Sequence, residues 1–329
     1  MSHPAPQRAG RQGVPRHRLR IAICPFDAAY EYELAKLPHD FVLLGNTHRC
    51  WDAQARPLPL RVAYSLTETE ADVLIVGVDQ RSVDALEQVL LLRRLGDHFQ
   101  GTRIIVNHDS NACGGQGSEA MRALVQDDLM ICASAQAKSQ WDVPRTYMIR
   151  RGYDPAEWPR TNYSRGNVIA YSHKGEAGRY NDGAITLISE RLGIKVARIG
   201  DGFRSFNSFD RYRSFLASSA IFFNPSTAVP ESPAMIEAQL CGLAIVTTNA
   251  HGEADYIENG VNGFASSDLD ELTDFVEYLR RNPLQIENIG ERGRATAQRV
   301  FNIERFAADW DRVLAEATSA SGRRAVSGV

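Results

Sequence analysis

Short apolar runs recur along this chain, separated by segments whose apolar residues fall at helical spacing. In the first half the runs predict strands at Arg20–Cys24, Phe41–Leu44, Val73–Val76, Arg103–Asn107, Leu129–Ala133 and Tyr147–Ile149. Between the third and fourth, Val83, Leu86, Val89, Leu90 and Leu91 give Ser82–Leu95 one apolar face, the signature of a helix packed on a sheet. The periodicity stops at Arg150-Arg151-Gly152-Tyr153-Asp154-Pro155, and polar residues run on to about Arg165, so 151–165 reads as an interdomain connection. The rhythm then resumes with strands at Val168–Tyr171, Lys195–Ile199, Ala220–Phe223 and Ala244–Thr247, and helices at Gly183–Leu192 and Phe209–Ala217. Strands alternating with helices in both halves predict two Rossmann-like, doubly wound α/β domains, over 20–150 and 166–302. After Ile303 an amphipathic helix carries Phe306, Trp310, Val313 and Leu314, and residues 303–317 are expected to cross back to the first domain.

Composition changes this picture little. The 329 residues are 43% hydrophobic and 23% charged with a net charge of -3, as in soluble globular proteins, which gives no general attraction to nucleic acid or membrane. Residues 1–19 are expected to be a disordered basic leader, with Arg8, Arg11, Arg16 and Arg18 and no acid, and the Ser- and Ala-rich 318–329 a disordered tail. The five cysteines (Cys24, Cys50, Cys113, Cys132, Cys241) lack the spacing of paired metal ligands and are expected to be reduced. No run approaches the roughly 18 apolar residues of a membrane span. The expected location is cytoplasmic, with any membrane contact peripheral.

The richest stretch is Asn224-Pro225-Ser226 followed by a loop, a short helix with Glu237, Gly242, and the strand from Ala244. A strand, loop, helix, strand unit of this kind places helix N-terminal amides and a carboxylate at the carboxyl edge of a parallel sheet, where phosphates and sugar hydroxyls can both be held. The run from Pro225 to Ala238 resembles the donor-binding segment Pro-Ser-x-x-Glu-x-Phe-Gly-x-x-x-x-Glu-Ala of the retaining glycosyltransferases of family 4 (glycosyl transferases group 1). Ile149–Trp158 is similar to that family's interdomain stretch, and Asn249–Phe264 to its glycine turn and closing Gly-x-Asn-Gly-Phe. The resemblance covers most of 129–314; residues 20–128 match in rhythm only.

The resemblance implies a GT-B fold, two such domains facing across a cleft, and sugar transfer from a nucleotide-diphosphate sugar with retention, without metal or other cofactor. It implies that Glu237 accepts hydrogen bonds from the ribose hydroxyls, a task suited to a carboxylate; the blander alternative, which the intact flanking pattern disfavours, is a helix N-terminal acid that merely favours the dipole. Ser226, Ser232 and Ala234 of the same run, and Gly252 of the glycine turn, would line the donor. The family's first glutamate corresponds to Val229, which cannot accept a hydrogen bond; Glu231, two residues on, is the substitute candidate for the sugar contact. Lys174 and Arg179 match the family's pair of diphosphate-binding cations with the two types exchanged, and would neutralise the leaving group. His108 closes a strand beside the glycine-rich 113–118 and could meet a sugar hydroxyl or the acceptor. Phe203 or Arg204 could stack on the base, in a region that reads as shorter by one strand and helix than the family pattern. The glycine pair expected after the first strand is replaced by Pro25-Phe26-Asp27-Ala28-Ala29-Tyr30.

Three other readings remain open on the sequence: a nucleotide-sugar-binding protein that has lost transfer, a nucleotide-sugar epimerase, and a transferase acting on modified DNA bases. The acceptor is open among a glycan, a lipid-linked sugar, a small molecule and modified DNA.

Overall fold

The computed structural model describes residues 18–45, 51, 53, 56–59, 62–65, 70–78, 93–94, 99, 101–108, 122–141, 143–162, 167–172, 181–200, 206–226, 232–249 and 256–326. The expected helix Ser82–Leu95 lies outside these residues apart from Arg93 and Arg94, as does the leader up to residue 17.

The first domain is a seven-stranded sheet in the order β3-β2-β1-β4-β5-β6-β7. Its strands are β1 (Arg20–Cys24), β2 (Asp40–Leu44), β3 (Ala63–Ser65), β4 (Val73–Val78), β5 (Thr102–Asn107), β6 (Leu129–Cys132) and β7 (Thr146–Met148). Every pairing is parallel. Such a sheet needs cover on both faces, and the period of two supplies it. Ile21 and Ile23 of β1 enter one apolar cluster, while Ala22 and Cys24 enter the other. The first cluster holds Tyr30 and Leu34 of α1 (Ala28–Leu34); the second holds Ala137 and Trp141 of α2 (Ala135–Trp141).

The second domain is a five-stranded parallel sheet in the order β12-β11-β10-β8-β9, from β8 (Val168–Tyr171), β9 (Ala197–Ile199), β10 (Ile221–Asn224), β11 (Ala244–Thr248) and β12 (Phe264–Ser266). Alternation again divides the core: Phe222 and Ile245 face one cluster, Ile221, Phe223, Ala244 and Val246 the other. Helices α3 (Asp182–Arg191), α4 (Phe209–Ala217), α5 (Pro233–Cys241), α6 (Leu269–Arg281) and α7 (Pro283–Val300) complete the domain.

The last helix, α8 (Ile303–Val326), returns to the first domain. Phe306, Trp310, Val313, Leu314 and Ala317 are buried in the cluster that holds Ile21 and Ile23, and Trp310 Nε1 donates to the Tyr30 hydroxyl at 3.1 Å. The crossing is clamped where it leaves the second domain. Arg305 Nη2 donates to the carbonyls of Arg150 (2.9 Å) and Arg151 (2.7 Å). Gly152 lies against Phe306 so closely that a Cβ would sit 2.3 Å from the Phe306 Cβ.

The structure adds three features to the sequence-based expectation. β3 and β12 are extra strands; each is three residues long and lies at a sheet edge, too short to show a period. The connection after Arg150 is packed, with Tyr153 and Trp158 buried in the second-domain core. Past Thr318, where a disordered tail was expected, the helix continues to Val326, with the Thr318 and Ser319 hydroxyls donating to the carbonyls of Leu314 and Ala315.

Candidate functional site

β10 delivers the chain to Asn224, Pro225 and Ser226 at the carboxyl edge of the second sheet. Asn224 Nδ2 donates to Thr247 Oγ1 at 3.1 Å, and the Ser226 carbonyl accepts from the Thr248 hydroxyl, so this turn is tied to β11. α5 begins with Pro233 in its first turn, where a missing N–H costs nothing, and stops at Gly242, whose φ of 89° suits a residue without a side chain. Ser232 occupies the N-cap position with its side chain not used as a cap. Ala234 through Cys241 are all buried, so the helix is enclosed on every side and Glu237 in its second turn is a buried acid.

A buried carboxylate requires partners. Glu237 Oε1 accepts from Arg56 Nη2, and Oε2 accepts from the Tyr212 hydroxyl at 2.6 Å. Arg56 belongs to the first domain, in the segment between β2 and β3. Its guanidinium lies 4.4 Å from the Phe209 ring centre and 5.8 Å from that of Trp158, and its carbonyl accepts from Trp51 Nε1 at 2.9 Å. Burial pushes the Glu237 carboxyl above its ordinary pKa, with Arg56 and Tyr212 pulling it back. Burial alone would lower the Arg56 pKa, but the adjacent Glu237 reverses this and raises it. Tyr153 stands close to this pair; its hydroxyl is buried without a hydrogen-bond partner, and burial followed by the Glu237 charge raises its pKa far above normal.

A second cluster forms at the carboxyl edge of the first sheet. Asp27, directly after β1, caps α1: Oδ1 accepts from the backbone N–H groups of Ala29 (3.0 Å) and Tyr30 (3.2 Å). Oδ2 accepts from Arg151 Nη2 at 2.6 Å and lies 3.5 Å from His108 Nδ1. His108 follows β5, stacks on Phe26 with ring centres 5.0 Å apart, and meets the edge of Tyr30 at 5.3 Å. Asn107, His108, Tyr30 and Arg151 share a small pocket, and Arg151 Nη1 is buried with no hydrogen-bond partner. Burial would raise the Asp27 pKa, but Arg151 and then His108 outweigh it and hold the carboxyl well below the usual range.

Of the sequence-derived candidates, Ser226, Ser232, Ala234 and Glu237 thus lie together in one strand-to-helix unit, and His108 lies on the first domain. Lys174, Arg179, Phe203, Arg204, Glu231 and Gly252, together with Val229, lie outside the described residues. Among the described residues no group of three or more His, Cys, Asp or Glu is arranged to hold a metal ion, and no helix is long and apolar enough to cross a membrane. Arg56, Tyr212, Arg151 and Asp27 were not singled out from the sequence. Only Asp27 carried a local signal, as an acid immediately before an apolar-periodic segment.

Residues 184–312 match the family model described as Glycosyl transferase-like. No curated protein matches the chain in sequence. Among solved structures, HepE from Anabaena in complex with UDP is similar with a TM-score of 0.65 at 16% identity, over 91% of this chain and 100% of that one. Sucrose-phosphate synthase from Thermosynechococcus elongatus gives 0.68 at 12% identity, over 92% and 100%. WaaG, a glycosyltransferase involved in lipopolysaccharide biosynthesis, gives 0.59 at 12% identity, over 88% and 98%. Two parallel-sheet domains and likeness across nearly the whole chain show that the protein has the GT-B fold.

Proposed function

We propose that the protein transfers a sugar from a nucleotide-diphosphate sugar to an acceptor hydroxyl. The observation that carries this reading is Glu237, a buried carboxylate on the short helix that follows parallel strand β10 and its loop, within the segment that the family model spans. HepE is solved with UDP and with UDP-glucose, which supports a uridine diphosphate sugar as the first donor to test.

In this reaction the bond from the anomeric carbon to the diphosphate oxygen breaks, and its electron pair leaves with the diphosphate. The acceptor oxygen bonds to the anomeric carbon, and its proton passes to the departing diphosphate. Lys174 and Arg179 neutralise the charge that develops there, which supplies electrostatic catalysis without a metal. Glu237 holds the ribose hydroxyls, Glu231 the sugar, and His108 a sugar or acceptor hydroxyl; Ser226, Ser232, Ala234 and Gly252 line the donor, with Phe203 or Arg204 at the base. Retention at the anomeric carbon belongs to this reading through the resemblance to family 4.

Incubation with UDP-, GDP- and ADP-sugars and a panel of glycan, lipid-linked and small-molecule acceptors tests it, with products analysed by mass spectrometry and anomeric configuration by NMR. A glycosylated acceptor of retained configuration, formed equally in the presence of a chelator, is the expected outcome. Val229, in place of the acid that touches the sugar, favours one other reading: binding without transfer. Tight binding with neither hydrolysis nor transfer under any condition would establish that alternative.

A further inference from the structure

We propose that Arg56 is a first-domain gate on the donor pocket: it occupies the Glu237 carboxylate when no nucleotide is bound and must release it for the ribose hydroxyls to enter. The inference rests on the reading of Glu237 as the ribose-binding residue and adds the competitor for that residue.

The chemistry of the contact is that of substitution. A cis-diol satisfies a carboxylate by offering one O–H to each oxygen. In the structure one oxygen of Glu237 receives an N–H from Arg56 and the other an O–H from Tyr212, so each already carries one protein donor. The side chains of Arg56 and Glu237 are only 4% and 3% exposed, which leaves a ligand no route to Oε1 while the pair is intact. Tyr212 belongs to α4 of the same domain, and Oε2 can accept a ribose hydroxyl beside it because a carboxylate oxygen has two lone pairs; the Arg56 guanidinium, which covers Oε1, comes from the other domain and can leave with it. Neither domain requires the pair for its own core, because each sheet has apolar clusters on both faces. In this paired arrangement the guanidinium also lies against the rings of Phe209 and Trp158.

Competition has a definite sign. A protein whose pocket is open for only a fraction of the time binds its ligand more weakly by that fraction. Removing Arg56 therefore tightens nucleotide binding, although it also removes a buried partner and lowers thermal stability. A merely structural salt bridge would lower stability and leave affinity unchanged or weakened.

The test uses the full chain. UDP, GDP and ADP are titrated calorimetrically into the wild type, Arg56→Ala, Arg56→Gln and Glu237→Ala, each first checked for folding by circular dichroism. The tightest of the three nucleotides should bind Arg56→Ala about tenfold more strongly than the wild type, with Arg56→Gln between them and Glu237→Ala weakest. In the wild type, saturating nucleotide should speed hydrogen exchange in the segment around Arg56. A folded Arg56→Ala or Arg56→Gln variant that binds no tighter, or exchange around Arg56 that is unchanged or slowed by nucleotide, overturns the gate. If Glu237→Ala alone loses binding, the donor reading stands without the gate; if Glu237→Ala binds as the wild type does, the donor reading itself fails.

Discussion

Glu237 can serve a nucleotide sugar only as a charged acceptor, so its substitution should be felt in binding. Hydrogen bonds to a charged group contribute about 1.5–3 kcal/mol, and Glu237→Ala is expected to weaken nucleotide-sugar affinity by a corresponding ten- to hundredfold or so in calorimetric titration. Lys174→Ala and Arg179→Ala should lower turnover by about a hundredfold, the scale seen when one group that stabilises developing charge is removed. Val229→Ala, which removes no charge, should leave turnover close to wild type. Asp27 governs stability through pH. Its folded pKa is depressed by Arg151 and His108, so the stabilisation is present above the ordinary carboxylate range and is lost as pH falls through that range toward the lowered value. Asp27→Asn should accordingly destabilise the protein at neutral pH by on the order of 3 kcal/mol in urea unfolding and flatten the acid limb of the stability profile. Glu237 stands out in the sequence as a candidate because its spacing from Pro225 resembles that of the family segment. Its partner Arg56 does not, since the contact joins positions 181 residues apart and no local pattern marks Arg56.

At the scale of elements, α1 carries a buried acid whose chemistry makes a separate prediction. Glu33 is buried; Lys36 Nζ reaches both Glu33 Oε2 (2.6 Å) and Glu157 Oε2 (2.9 Å), so two acids share one lysine. Burial raises the Glu33 pKa to about 7, with Lys36 opposing and Glu157 adding to the rise. A raised carboxyl stabilises fully below its unfolded pKa, and that stability is lost as pH climbs through the folded value. The melting temperature of the wild type should therefore fall between about pH 5 and pH 8 more steeply than that of Glu33→Gln. The crossing helix α8 is the other exposed dependence of the fold. Trp310 is fully buried against the first-domain sheet, and Trp310→Ala should cost about 3–5 kcal/mol by denaturant unfolding. Strands β1 and β8 begin and end where the apolar runs do, because a strand buried on both faces is a continuous apolar word. β3, with its two exposed and one half-buried residues, carries no such word, and its place at the sheet edge is set by pairing with β2 rather than by its own composition.

At the scale of the molecule, two separately cored domains meet through a few specific contacts. Tyr32 of α1 and Lys36 just after it hold Glu157 of the connecting segment, Asp27 holds Arg151 at its start, and Arg56 reaches Glu237 in the second domain itself. The two-domain plan was readable from the rhythm of strands and helices, while the contacts that join the domains were not, because each pairs a residue in one half with a partner fixed only by the folded arrangement. The proposed function puts donor chemistry on the second domain, and the account stands on a nucleotide being held at the β10–α5 turn. A crystal structure of the full chain soaked with UDP-glucose, or with whichever nucleotide sugar binds most tightly, tests this most directly. The account predicts the ribose within hydrogen-bonding distance of Glu237, Arg56 withdrawn from it, and the diphosphate beside Lys174 and Arg179. A nucleotide lodged elsewhere, with the Arg56–Glu237 pair intact, would contradict it.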